Sequence, residues 1–260
     1  MPKLFRSTSY ISLLIILVVF SSCKQKATTL IWEENFNGDT LNASNWNFEL
    51  GDGCPNLCGW GNDEPQIYTR TNHSLKDGYL YITAKKEDSL ITSTRITTKD
   101  KFEFKYGRVE ARAKLPLGVG VWPAFWMLGS NITEVGWPLC GEIDIVEYVG
   151  KMPDEIFTSL HTKDSHGNTI NTKKTKAKDI EEGFHTYMVD WSPEKIGFYL
   201  DDSLIYTFNP KERTKEVWPF DQPFYMILNL AVGGNFGGPE IDDSMFPQDF
   251  VIDYIKVFQN

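Results

Sequence analysis

The chain has 260 residues, 41% of them hydrophobic and 14% aromatic, with a formal net charge of −9. That length and apolar share support a sizeable core and exclude a disordered chain. The negative balance, with no basic patch visible, excludes broad binding to nucleic acid or to an anionic membrane surface, which would repel it.

Lys3 and Arg6 precede an apolar stretch from Tyr10 to Phe20, followed by Ser21-Ser22-Cys23. Charged, apolar and small-residue regions in that order predict an export signal, and the apolar stretch is too short for an ordinary membrane span. The segment resembles a bacterial lipoprotein signal, although Phe20 stands where Leu, Val or Ile is usual. Residues 1–23 are therefore read as a lipoprotein-type signal, Cys23 as the lipidated first residue of the mature chain, and 24–29 as a short tether. The product is an exported protein, anchored in a bacterial cell envelope or alternatively secreted. Export permits disulfides among Cys54, Cys58 and Cys140, of which one must stay unpaired within the chain. Cys54 and Cys58 flank Pro55-Asn56-Leu57 and could close a small loop, while three cysteines lack the paired spacing of a structural zinc site.

From residue 30 to residue 260 the pattern is one of short strands between turn residues. Tyr79 to Ala84 alternates, and Arg108 to Leu115 alternates polar and apolar without a fault, as a strand with one face on a core does. Lys173, Lys174, Lys176 and Lys178 sit among Thr and Asp and read as a solvated loop. Ile196 to Leu200 and Leu204 to Phe208 are predicted strands joined by a hairpin at Asp201-Asp202-Ser203. Phe224 to Val232 is a continuous apolar run, expected of a strand buried on both faces, and Val251 to Phe258 closes the series. Long helical periodicity, repeats and linkers are absent from the pattern, so a single antiparallel two-sheet sandwich is predicted over 30–260. Trp60 in Gly59-Trp60-Gly61-Asn62-Asp63-Glu64 and Phe236 in Gly233-Gly234-Asn235-Phe236-Gly237-Gly238 lie in loops. An aromatic bordered by Asn, Asp and Glu suits the flat apolar face and hydroxyl ring of a sugar, where a core Trp would have apolar neighbours.

Glu142-Ile143-Asp144-Ile145-Val146-Glu147 carries acids at its first, third and sixth positions. In a regular strand the first and third share a face and the sixth points away. A β-bulge around Ile145-Val146 would return Glu147 to the face of Glu142 and Asp144. The glutamates would then stand four strand steps apart, roughly 13 Å at about 3.3 Å per residue. With each side chain reaching about 4 Å inward, roughly 5 Å would separate the carboxyls, the spacing of a retaining glycosidase. Three acids on one face repel, so at least one should hold a proton near neutral pH, ready to protonate a leaving oxygen while an ionised neighbour attacks. The competing readings are a solvated edge strand and a calcium site built from the three acids.

These residues resemble glycoside hydrolase family 16, particularly its laminarinase-like endo-β-1,3-glucanases. The resemblance also rests on Trp60-Gly61-Asn62-Asp63-Glu64, Trp122-Pro123-Ala124-Phe125-Trp126-Met127-Leu128-Gly129, Phe184-His185-Thr186-Tyr187, Asn229-Leu230-Ala231-Val232-Gly233-Gly234 and Asp253-Tyr254-Ile255-Lys256-Val257-Phe258. It implies an all-β, concanavalin-like β-jelly-roll sandwich whose concave face is an open cleft for internal attack on a glucan. Within it, Glu142 is implied as nucleophile, Glu147 as acid/base, and Asp144 as the residue that positions Glu142 and adjusts its proton affinity. Trp122 and Trp126 match cleft-lining positions, and Trp60, Asn62, Glu64, Arg95, His161 and Asn229 complete the implied substrate-binding set. Arg95 is alternatively a partner for an acid, and His161 a packed strand residue.

The bulged acid motif points to the β-1,3-glucanase branch, since lichenase-like and xyloglucan-modifying members lack the extra residue. Agarases and carrageenases share it, but no Lys/Arg cluster for sulfate is evident near the motif. A mixed-linkage glucanase and a non-catalytic glycan-binding sandwich are the remaining alternatives. The implied partner is a β-glucan acted on by a monomer with no cofactor for catalysis. A structural calcium site is implied near Glu34, Gly78 and Asp253, with Asn35 departing from the usual acidic pattern.

Overall fold

The faultless alternation of Arg108 to Leu115 makes a strand, Gly107–Lys114, because a pleated backbone of period two puts Val109, Ala111 and Ala113 on one buried face. The computed structural model describes residues 29–259, whose strands form two sheets. Cys23 and the signal segment lie outside the described residues. Among those described, no helix is long and apolar enough to cross a membrane.

One sheet runs in the order β12 (Lys173–Lys176), β11 (Glu155–His161), β10 (Glu142–Tyr148), β9 (Val121–Gly129), β16 (Phe224–Val232), β7 (Arg95–Thr97) and β2 (Asn47–Glu49), antiparallel throughout. The second runs β15 (Ser203–Phe208), β14 (Ile196–Leu200), β13 (His185–Trp191), β8 (Gly107–Lys114), β17 (Gln248–Gln259), β5 (Tyr79–Glu87), β6 (Leu90–Ser93) and β3 (Ile67–Tyr68). To it are added β1 (Thr29–Glu34), which pairs with β17, and β4 (His73–Lys76), which pairs with β5. The pair β3 and β6 is parallel. This is the two-sheet sandwich that the strand pattern predicts and the all-β jelly roll that the family resemblance implies.

Phe125, Met127, Ile143, Leu228 and Leu230 of the first sheet pack against Val109, Ala111, Ile252, Ile255 and Val257 of the second. Each large aliphatic or aromatic side chain buried there stabilises the fold by about 1.5–3 kcal/mol. All nine residues of β16 are buried, as a strand covered on both faces requires. Asp201 and Asp202 both have positive φ, +46° and +65°, the left-handed pair of a type I′ turn that closes the β14–β15 hairpin. Cys54 and Cys58 form a disulfide, and Cys140 is free and buried.

The lysine-rich segment differs from the loop predicted for it. Lys173–Lys176 is the edge strand β12, paired with β11, and Lys174 Nζ lies 2.9 Å from Glu155 Oε2. Lysines on an exposed edge discourage a second chain from pairing there, so the composition of a solvated loop also serves an edge strand.

Candidate active site

On the first sheet, side chains that point away from the core form one continuous surface. Register carries that surface across the strands: Arg95 faces Asn229, Asn229 faces Ala124, Ala124 faces Glu147, Glu147 faces Phe157, and Phe157 faces Lys174. In neighbouring rows, Asp144 lies between Trp126 and Ser159, and Glu142 between Leu128 and His161. All three acids reach this face because β10 is bulged. Asp144 pairs with Ser159 and Glu147 with Phe157, so Ile145 and Val146 together oppose Thr158. Both of these apolar residues are buried in the core, which fixes the bulge by packing.

The environments of the acids differ. Asp144 is 3% exposed. Burial pushes its carboxyl well above the usual carboxylate range, and the Glu142 charge and a hydrogen bond to Glu142 act in the same direction. Its Oδ2 lies 3.1 Å from Nε2 of His161 in a geometry that makes no hydrogen bond. Burial likewise pushes Glu147 up to about 8, with the charge of Asp144 adding to the rise. Trp122, whose Nε1 donates to Glu147 Oε1 at 3.0 Å, pulls the other way. Glu142 receives Trp137 Nε1 on Oε2 at 2.7 Å, and its Oε1 lies 3.9 Å from His161 Nε2. Glu147, raised to about 8 beside the raised carboxyl of Asp144, and Glu142, which collects a donor, form a division of labour suited to acid catalysis beside a nucleophile.

The other residues expected to bind sugar fall into two groups. Trp60, Asn62, Trp126 and His161 keep partial access to solvent, whereas Trp122, Glu64, Arg95 and Asn229 are buried. Glu64 accepts from Asn62 Nδ2 at 3.1 Å, Gln66 Nε2 at 2.6 Å and Tyr68 hydroxyl at 3.2 Å. Asn229 donates to the Tyr68 hydroxyl at 3.1 Å and accepts from Trp126 Nε1 at 2.7 Å. This chain of bonds leaves Glu64 and Asn229 as supports that hold Trp126 and Asn62. Arg95 pairs with Glu49, and its guanidinium stacks on both Trp60 and Trp126, at 4.4 and 4.8 Å from their ring centroids. Its positive charge is thus engaged by an acid, one of the two roles the sequence left open. Gly234, at φ +71°, lets the Gly233–Gly238 loop dock on this wall: an added Cβ would sit 2.7 Å from the Asn62 carbonyl, which accepts from Asn235 N.

His161 accepts from Gly167 N on Nδ1 at 3.1 Å, so Nε2 carries the ring proton and offers no lone pair. Glu142, Asp144 and His161 bring ligand-type atoms within 4.8 Å of one another, but that tautomer does not fit a metal ion. Glu34, Gly78 and Asp253 gather where β1 and β5 abut along β17. The two carboxylates among them are already engaged within the protein, and Gly78 would offer only its main-chain carbonyl. Glu34 accepts three N–H donors, from Phe36, Asn45 and Trp46, and Asp253 is paired with the Arg112 guanidinium.

Sequence reasoning missed Trp137, Tyr68 and Gln66. Gln66 and Tyr68 lie two and four residues beyond Glu64 and bond to it locally, but their other partners, Val232 and Asn229, are distant in the chain, and no pattern marks them. Trp137 sits between the one-turn helix Ile132–Val135 and β10, five residues before Glu142, as the exposed tryptophan of Gly136-Trp137-Pro138. The signal that singled out Trp60, an aromatic in a loop, was present there too.

Comparison with known proteins agrees with this geometry. The family model described as glycosyl hydrolases family 16 matches residues 61–256. A laminarinase from Flavobacterium sp. UMI-01 superimposes with a TM-score of 0.88 at 67% identity, covering 89% of this chain and 100% of that one. A glucan endo-1,3-beta-glucosidase of Cryptopygus antarcticus is 38% identical over 93% of this chain and 96% of its own length. A beta-glucanase of Rhodothermus marinus is 39% identical over 88% of this chain and 85% of its own length. With the family model spanning most of the chain and the bulged three-acid strand at its centre, this protein belongs to glycosyl hydrolase family 16.

Proposed function

We propose that this chain is a retaining endo-β-1,3-glucanase that cuts laminarin-like glucan through a covalent glycosyl-enzyme intermediate. The observation that carries the reading is the bulge in β10, which sets Glu142 and Glu147 on one cleft face with Glu147 protonated up to about 8. In the first step a Glu142 oxygen attacks the anomeric carbon, the glycosidic bond breaks, and its electron pair leaves with the oxygen that takes the Glu147 proton. In the second step Glu147, now ionised, removes a proton from water as that water attacks the anomeric carbon, and the bond to Glu142 breaks. Trp122, Trp126 and Trp60 offer apolar faces to the sugar rings. No metal or organic cofactor has a part in these steps.

Relatives named as beta-glucanase and glucan endo-1,3-beta-glucosidase support the substrate class. The pairing of Arg95 with Glu49 and of Lys174 with Glu155 also favours a neutral glucan over a sulfated galactan, since both charges are already matched. A solely glycan-binding role would leave a carboxyl held at about 8 beside a second one without purpose. The export pattern of residues 1–23 supports action outside the cytoplasm, as a monomer tethered through lipid at Cys23 or released. Glu142→Gln should abolish reducing-sugar release from laminarin while leaving binding intact. Full activity in that variant overturns the assignment, and parallel assays on lichenan, agarose and carrageenan settle the substrate.

A further inference from the structure

We infer that Trp137 is a positioning residue for the nucleophile: its indole N–H holds Oε2 of Glu142 and leaves Oε1 to attack. The inference rests on the glycosidase reading above. Trp137 is 46% exposed, yet its one polar atom is turned inward to Glu142 Oε2 at 2.7 Å. An exposed tryptophan placed only to line a cleft would leave that N–H to water.

The loop that carries Trp137 is fixed at several points. Cys140 N donates to Gly136 O at 3.0 Å, Gly141 N to Pro138 O at 3.1 Å, and Gln222 Nε2 to Cys140 O at 2.7 Å. On its other side the indole meets His166 edge to face, with ring centroids 5.2 Å apart, and lies tilted 6.0 Å from His161. Backbone anchors and two rings therefore set the direction of the N–H before substrate arrives. The charged or titratable groups facing Glu142 are Asp144, Glu147, His161 and the buried thiol of Cys140. Trp137 is a donor to Glu142 that does not titrate.

A donor on Oε2 acts in both half-reactions. During attack, the C1–Oε1 bond forms, the glycosidic C–O bond breaks with its electron pair leaving on oxygen, and Oε2 becomes the ester carbonyl. During hydrolysis the C1–Oε1 bond breaks, its electron pair returns to Glu142, and the N–H stabilises the charge that reappears on the carboxylate. The indole N–H thus favours the departing carboxylate and keeps the attacking oxygen in one orientation.

The test is Trp137→Phe, which keeps an aromatic wall and removes the N–H, with Trp137→Leu as a second variant. Wild type and variants are assayed on laminarin across pH, and melting midpoints are compared. The expected result is a kcat lowered by about 30-fold, about 2 kcal/mol at about 1.36 kcal/mol per tenfold. KM should change less than about threefold, melting should be unchanged, and the acid limb of kcat/KM should move to higher pH in both variants, because an ionised carboxylate that loses a donor is less favoured. An active wild type whose Trp137→Phe variant keeps kcat and the acid limb, whether or not KM rises, overturns this role alone. A wild type that releases no sugar overturns the glycosidase reading with it.

Discussion

Removing the N–H that Trp122 donates to Glu147 should extend activity to higher pH. The bond, 3.0 Å from Nε1 to Oε1, is made to the carboxylate form and so pulls against the burial that holds Glu147 at about 8. Trp122→Phe removes it while keeping a ring against Phe236, which Trp122 meets edge to face at 5.6 Å between centroids. A hydrogen bond to a charged group contributes about 1.5–3 kcal/mol, and the partial solvent access of Glu147 reduces this to about 1–1.5 kcal/mol. At about 1.36 kcal/mol per unit, the alkaline limb should rise by about one unit, from about 8 toward about 9. The assay is kcat/KM for laminarin at constant ionic strength from about pH 4 to about pH 10, where the alkaline limb reports the acid of the free enzyme. A limb that stays in place, or moves to lower pH, refutes the assignment of Glu147 as the acid whose proton Trp122 disfavours.

The same raised acid makes a stability prediction of definite sign. Glu147 binds its proton more tightly folded than unfolded, so the stability it gives is full below the ordinary value of 4.5 and is lost as pH rises through about 8. Glu147→Gln should therefore melt progressively higher than wild type across that window, by on the order of 10 °C at about 2–4 °C per kcal/mol, as calorimetry at several pH values would show. Gly129→Ala should cost several kcal/mol and most activity, because the new Cβ would lie 2.0 Å from the Cys140 carbonyl and must displace the backbone that enters β10. Arg95→Leu should destabilise by about 2 kcal/mol and raise KM, since it strands Glu49 and unseats both Trp60 and Trp126. Dialysis against EDTA should leave kcat unchanged at a temperature where the fold is intact; a loss of kcat with no change in melting, restored by calcium, would contradict a reaction carried by carboxyls alone.

The central device was legible because it is local. Acids at first, third and sixth positions demand one extra residue if they share a face, and Ile145-Val146 opposite Thr158 is that residue. Two-residue alternation likewise located β8 and β14 within a residue of their observed ends. Less legible was what each polar residue does once folded. Glu64 and Asn229 belong to the matching motifs, yet Glu64 is used by its near neighbours Gln66 and Tyr68, and Asn229 by Trp126 and Tyr68, partners that only the folded sheet brings to it. The lysines of β12 carry the composition of a loop because the edge of a sheet presents the same solvent to them. Trp137 escaped because its importance lies in the direction of one N–H, which no spacing reveals.

A covalent intermediate on Glu142 is tested most directly by the stereochemistry of the first product. Proton NMR of laminarin hydrolysed by the wild-type protein, recorded before mutarotation, should show the β-anomer of the new reducing end appearing first, as two successive inversions at Glu142 and water require. First appearance of the α-anomer would contradict the covalent intermediate and the pairing of Glu142 with Glu147.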